Sequence, residues 1–222
     1  MPAQSVPRAV CCLLACLAIA APAAAQQRNE PIGRFALDVR GVFARHKIEP
    51  SIATELAVAG GNLPTRSFGL VGGAHYYPWR TSKITLGIGG EMLFARGSRT
   101  IDMLGADGKT TTPGPTVRRH FTSVAPEISL NFGHRNGWSY ISGGMFGSSK
   151  LYLERADAPA NGVPRRRTLN YGGGARWFTN DHIAFSVDFR WYSVAEQPAS
   201  PTGAVLEPRT TLLVLSGGIG IR

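Results

Sequence analysis

The sequence has 222 residues, of which 43% are hydrophobic and only 17% charged, with a formal net charge of +10. The length allows one domain with a substantial core, and the charged fraction lies below the roughly 25% usual for soluble domains. All three cysteines, Cys11, Cys12 and Cys16, fall within the first 25 residues, which excludes a disulfide framework or a cysteine-based zinc site from the rest of the chain.

In chain order, the first element is "MPAQSVPRAVCCLLACLAIAAPAAAQQRNE". Arg8 precedes an apolar run from Ala9 to Ala21, and Ala23 and Ala25 give the small-x-small pattern for cleavage before Gln26. Residues 1–25 are therefore expected to be a secretory signal peptide, too short and wrongly flanked for a spanning helix. "LLAC", ending at Cys16, resembles a lipoprotein box, but the residues after Cys16 remain apolar, which favours ordinary cleavage. Residues 26–222 form one expected domain.

No later stretch supplies 17 or more consecutive apolar residues, whereas outer-membrane strands need only about 9–11 each and carry a weak alternating signal. A period of two finds eight such stretches. They are Ile32–Arg45, Arg66–Trp79, Lys83–Arg96, His120–His134, Trp138–Glu154, Leu169–Phe178, Ile183–Val194 and Thr210–Ile221. The seventh is the clearest, with Ile183, Phe185, Val187, Phe189 and Trp191 alternating with Ala184, Ser186, Asp188, Arg190 and Tyr192. In the fifth, small residues blur the two faces.

The gaps between these stretches run long, short, long, short, long, short, long. The short ones carry turn residues, as in "RTS", "RNG" and "TNDH", and the long ones hold most of the Pro and Gly. Long loops at one rim and tight turns at the other are the outer-membrane pattern. The expected fold is all-β: an eight-stranded up-and-down antiparallel transmembrane β-barrel, monomeric, in the cell outer membrane.

With the large apolar faces on lipid, Asp38, Arg40, Glu91, Glu127, Arg176, Asp188 and Arg190 line the interior. Buried charge is tolerated only when paired and hydrogen-bonded, and this near balance points to an interior ionic network. Eight strands leave room for side chains or one small ligand. Minor solute passage is the lesser expectation. Tyr76, Tyr77, Trp79, Trp138, Tyr140 and Trp177 cluster near the short turns and Trp191 lies towards the other rim, as an aromatic girdle would.

Signs of other chemistry are sparse. The mid-strand glycine clusters lack nucleotide-binding spacing. His46, His75, His120, His134 and His182 form no HExxH or other close metal pair, so no metal, cofactor or catalytic residue is expected. A lipid-A-modifying enzyme would place a His and a Ser near the long-loop rim, but His120 and Ser123, three apart on a strand, point to opposite faces. The basic runs Arg118–Arg119 and Arg165, Arg166 and Arg167 are candidate contacts for lipopolysaccharide phosphates. Export and the lack of a binding module argue against nucleic acid.

The segment "YGGGARWFTNDHIAFSVDFRWY" resembles the small outer-membrane β-barrel proteins of Gram-negative bacteria, the OmpA-like or OmpX-like group. Tyr171 to Phe178 matches a glycine-rich strand ending in an aromatic, Thr179 to Asp181 a tight Asn/Asp turn, and His182 to Tyr192 a strand ending in Arg and aromatics. Members commonly end in an aromatic residue, whereas this sequence ends "GGIGIR". The resemblance implies a structural or surface-interaction role through long extracellular loops, with outer-membrane lipid, lipopolysaccharide and the outer-membrane insertion machinery as partners. The rival from another class is a secreted lipocalin-like barrel that binds a small ligand. It would carry its large apolar residues inside.

Overall fold

Alternation along each stretch of this chain sorts large apolar side chains from small or polar ones once neighbouring strands pair in register. The computed structural model describes residues 30–47, 52, 63–104, 111–160, 162–196, 205–206 and 208–222. The expected signal peptide, with Cys16, lies outside them. The chain divides after Glu30, and Pro31–Arg222 is the unit considered below.

Its strands are β1 (Phe35–Arg45), β2 (Arg66–Arg80), β3 (Ile84–Leu104), β4 (Thr111–His134), β5 (Gly137–Arg155), β6 (Arg166–Phe178), β7 (Ile183–Val194), a two-residue β8 (Val205–Leu206) and β9 (Thr210–Ile221). Consecutive long strands pair antiparallel, and β1 pairs with β9 as well as β2. With β4 also paired to β5, hydrogen bonding closes into a ring of eight long strands, each with a partner strand on both sides. The connections at 81–83, 135–136 and 179–182 are short and share one rim, while the longer ones share the other.

Two strands run well beyond their expected limits. β3 and β4 continue past the expected loop boundaries as a hairpin that pairs as far as Leu104 and Thr111. The segment looked loop-like because of Pro113 and Pro115, but it also carries β-branched Thr100, Ile101, Thr112, Thr116 and Val117, which favour strand. Pro113 falls where the register shifts between Thr100 and Asp102, an irregularity that tolerates a missing donor. β8, inside the expected loop after β7, adds to Tyr152 and Leu153 of β5.

Inside the ring, side chains fill successive layers. Next to the short turns lie Ile32, Ala36, Tyr77, Trp138 and Tyr140. Charged residues come next. Beyond them Val42, Ala44, Val71, Leu93, Phe121, Leu151, Tyr192, Leu212 and Val214 form an apolar layer. Ile52, Leu63, Ile101, Val117 and Leu153 make a further cluster on the long-loop side. The outer face has the opposite character, with Phe35, Phe68, Ile128, Ile141, Phe185 and Ile219 all between 55% and 64% exposed. A lipocalin-like arrangement is therefore overturned, because the large apolar faces point outwards and the charges inwards.

Candidate functional site

The charged layer arises from strand parity. Asp38 and Arg40 on β1, Glu91 on β3, Glu127 on β4, Arg176 on β6, and Asp188 and Arg190 on β7 all occupy inward positions and are at most 6% exposed. Arg40 Nε lies 2.8 Å from Asp38 Oδ1 and its Nη1 3.5 Å from Asp188 Oδ1, and Arg40 also pairs with Glu91. Arg190 pairs with Glu127, lies 3.4 Å from Glu91 Oε2 and 3.2 Å from Asp188 Oδ2, and donates to Ser142 Oγ at 2.8 Å. Arg176 pairs with Asp38 and donates to the Tyr77 hydroxyl at 3.2 Å.

Neutral groups complete the set. The Tyr140 hydroxyl donates to Asp188 Oδ2 at 2.9 Å and the Tyr192 hydroxyl to Glu91 Oε2 at 3.4 Å. His75 Nδ1 lies 3.5 Å from Glu127 Oε1. Sequence reasoning missed His75, Ser142 and Tyr192 as members, because a neutral polar side chain does not mark a face as a charge does. Parity with Val71 and Tyr77 was the available signal for His75.

Candidate ligand atoms of His75, Glu91 and Glu127 lie within 4.8 Å of one another. Arg40 and Arg190 already take the two carboxylates, so the arrangement fits ion pairing better than metal binding. Four carboxylates meet three guanidiniums here, and each guanidinium touches at least one of them. These ion pairs neutralise and cross-link five strands, β1, β3, β4, β6 and β7.

Three expected girdle residues are corrected. Tyr77, Trp138 and Tyr140 are 2–5% exposed and point into the ring. On β5 the small residues hid which face was inward. On β2 Tyr77 faces in with Val71 and His75, on the face that alternation gives it, and a register shift between Tyr76 and Trp79 turns Trp79 outwards instead. Trp79 and Trp177 are exposed, and Tyr76 and Trp191 are half-buried. Two expected lipid contacts are corrected as well. Arg119 and Arg166 alternate inwards and are buried, Arg166 donating to Leu151 O at 3.0 Å. Arg165 and Arg167 remain exposed and Arg118 is half-buried.

The long-loop rim holds the His and Ser contacts. His120 Nε2 lies 2.9 Å from Glu154 Oε1 and its ring stacks on Tyr152 at 4.9 Å. Partial burial holds the His120 imidazole below its ordinary value, against the pull of Glu154. Ser123 faces inwards and accepts from Ser149 at 2.9 Å. A His–Ser contact that spacing did not reveal joins His46 Nε2 to Ser67 Oγ at 2.9 Å, with both residues buried.

No family model and no curated protein matches the chain. Among solved structures it is similar to Ail, the attachment invasion locus protein of Yersinia pestis, at 13% identity and a TM-score of 0.47, covering 86% of this chain and 98% of that one. Neisserial surface protein A is similar at 8% identity and a TM-score of 0.46, covering 84% and 96%. The outer membrane protein OprG of Pseudomonas aeruginosa is similar at 13% identity and a TM-score of 0.46, covering 86% and 96%.

Proposed function

We propose that the ring is an integral outer-membrane β-barrel. Its interior is sealed, and its role is structural or interactive through the long-loop rim. The observation that carries this reading is the inverted polarity, with a buried ionic layer inside a band of exposed large apolar side chains. Soluble monomers rarely expose contiguous apolar patches beyond a few hundred Å². Lipid covers such a band without specific contacts. On β3 and β4 the band runs between the register pairs Phe94–Thr122 and Ile84–Phe132, close to the 9–11 residues a tilted strand needs.

In this reading residues 1–25 direct export, the outer-membrane insertion machinery places the barrel, and the short turns face the periplasm. The filled interior argues against solute passage. Alkaline carbonate washing of membranes from expressing cells is the test. The chain should stay in the pellet and migrate differently on gels before and after heating, and its release into the supernatant would refute the reading.

A further inference from the structure

Arg45 and Arg66 are register partners on β1 and β2, and both are exposed on the outward face. Like charges directly opposite each other destabilise a strand pair, so an unmet repulsion is built into this face. Arg96, the register partner of Phe68, extends the basic row onto β3, and Arg118, opposite Ser98, extends it onto β4. Among the described residues no carboxylate pairs with Arg45, Arg66 or Arg96.

Two residues below the arginine pair, Phe43 and Phe68 are also register partners, with ring centroids 5.4 Å apart. Beside them lies a shallow, wide-open groove of about 480 Å³ lined by Gly41, Phe43, Phe68, Gly69, Leu215 and Gly217. Gly41 and Gly217 face each other across β1 and β9, and a Cβ added to either would meet nothing closer than 3.7 Å. Backbone packing does not require glycine at these two positions. Glycine in a strand costs conformational entropy, and here its structural effect is to keep the groove open.

We propose that Arg45, Arg66 and Arg96 clamp the phosphate of a phosphorylated outer-leaflet glycolipid, lipopolysaccharide, while one of its acyl chains lies in the groove beneath. The inference rests on the membrane reading. Guanidinium groups suit phosphate because they offer paired donors as well as charge. A soluble polyanion would use the arginines but leave the apolar groove empty, and a zwitterionic phospholipid would use the groove but bring a single phosphate charge already offset by its own ammonium, too little to neutralise three guanidiniums. The site differs from the basic runs that the sequence singled out, of which only Arg118 lies in the same row.

The test uses the full chain folded in detergent micelles and titrated with purified lipopolysaccharide or its dephosphorylated form, with bound lipid counted by native mass spectrometry. The phosphorylated form should bind at least tenfold more tightly. Arg45→Gln with Arg66→Gln should weaken binding tenfold or more and flatten its salt dependence, with unaltered heat-modifiable migration. Gly41→Val should weaken binding several-fold and leave the salt dependence unchanged, and Gly41→Ala should do so to a smaller degree. Equal affinity for both lipids, or unchanged binding by the arginine variant, would overturn the clamp and leave the membrane reading standing. Failure of the wild-type chain to insert into vesicles would overturn both.

Discussion

Arg190 meets Glu91, Glu127 and Asp188 together; Arg40 also reaches Glu91 and Asp188, so removing Arg190 would leave Glu127 buried without a guanidinium partner among the described residues. Breaking a buried ion pair from one side costs about 3–5 kcal/mol. Arg190→Met is expected to lose stability on that scale in urea-driven unfolding from lipid vesicles. Adding Glu127→Gln should recover part of it, and a single variant as stable as wild type would show that the cluster contributes nothing structural. His120 tests the rim. Its folded value lies below the ordinary imidazole range, so the stability it contributes is fully present above about pH 6.5 and is lost as pH falls through the folded value. An NMR titration of the ring should show that depressed midpoint. Glu154→Gln should lower it further, because the carboxylate is what raises it. An upward shift in that variant would contradict the contact.

At the scale of the strand, face decides the cost of a substitution. Val187 is exposed in the apolar band of β7, whereas Thr211 is exposed near the long-loop end of β9. Val187→Arg should cost about 2–4 kcal/mol and Thr211→Arg about 0–1 kcal/mol, by the depth dependence of charge on a lipid face. The same unfolding measurement compares them, and equal costs would deny that the band lies in hydrocarbon. Strand parity is also where the sequence was most legible. Asp188 and Arg190 stand among Phe185, Val187 and Phe189, so their face could be read directly, and the limits of β7 and β9 match the alternation. Parity failed where it is interrupted or uninformative. The irregularity after Tyr76 turned Trp79 off the parity it would share with Tyr77, the small residues of β5 concealed Trp138 and Tyr140, and the prolines at 113 and 115 disguised a paired hairpin as a loop. The His46–Ser67 contact depends on a tertiary approach that no local spacing encodes.

At the scale of the whole molecule, the layers inside the ring determine what it can do. Tyr77, Trp138 and Tyr140 fill one end, the ion pairs the middle, and Phe121, Leu151 and Tyr192 the other side. Planar-bilayer recordings of the inserted chain are therefore expected to show no stepwise conductance, and regular single-channel steps would contradict a sealed interior. The central claim is that the large apolar faces meet lipid. With all three cysteines in residues 1–25, single cysteines can be placed along β7 in the chain without that segment, labelled with a fluorophore and exposed to brominated lipid. Labels at 185, 187 and 189 should be strongly quenched, and labels at 184 and 186 should not. Quenching with the opposite parity, or none at any position, would contradict the account.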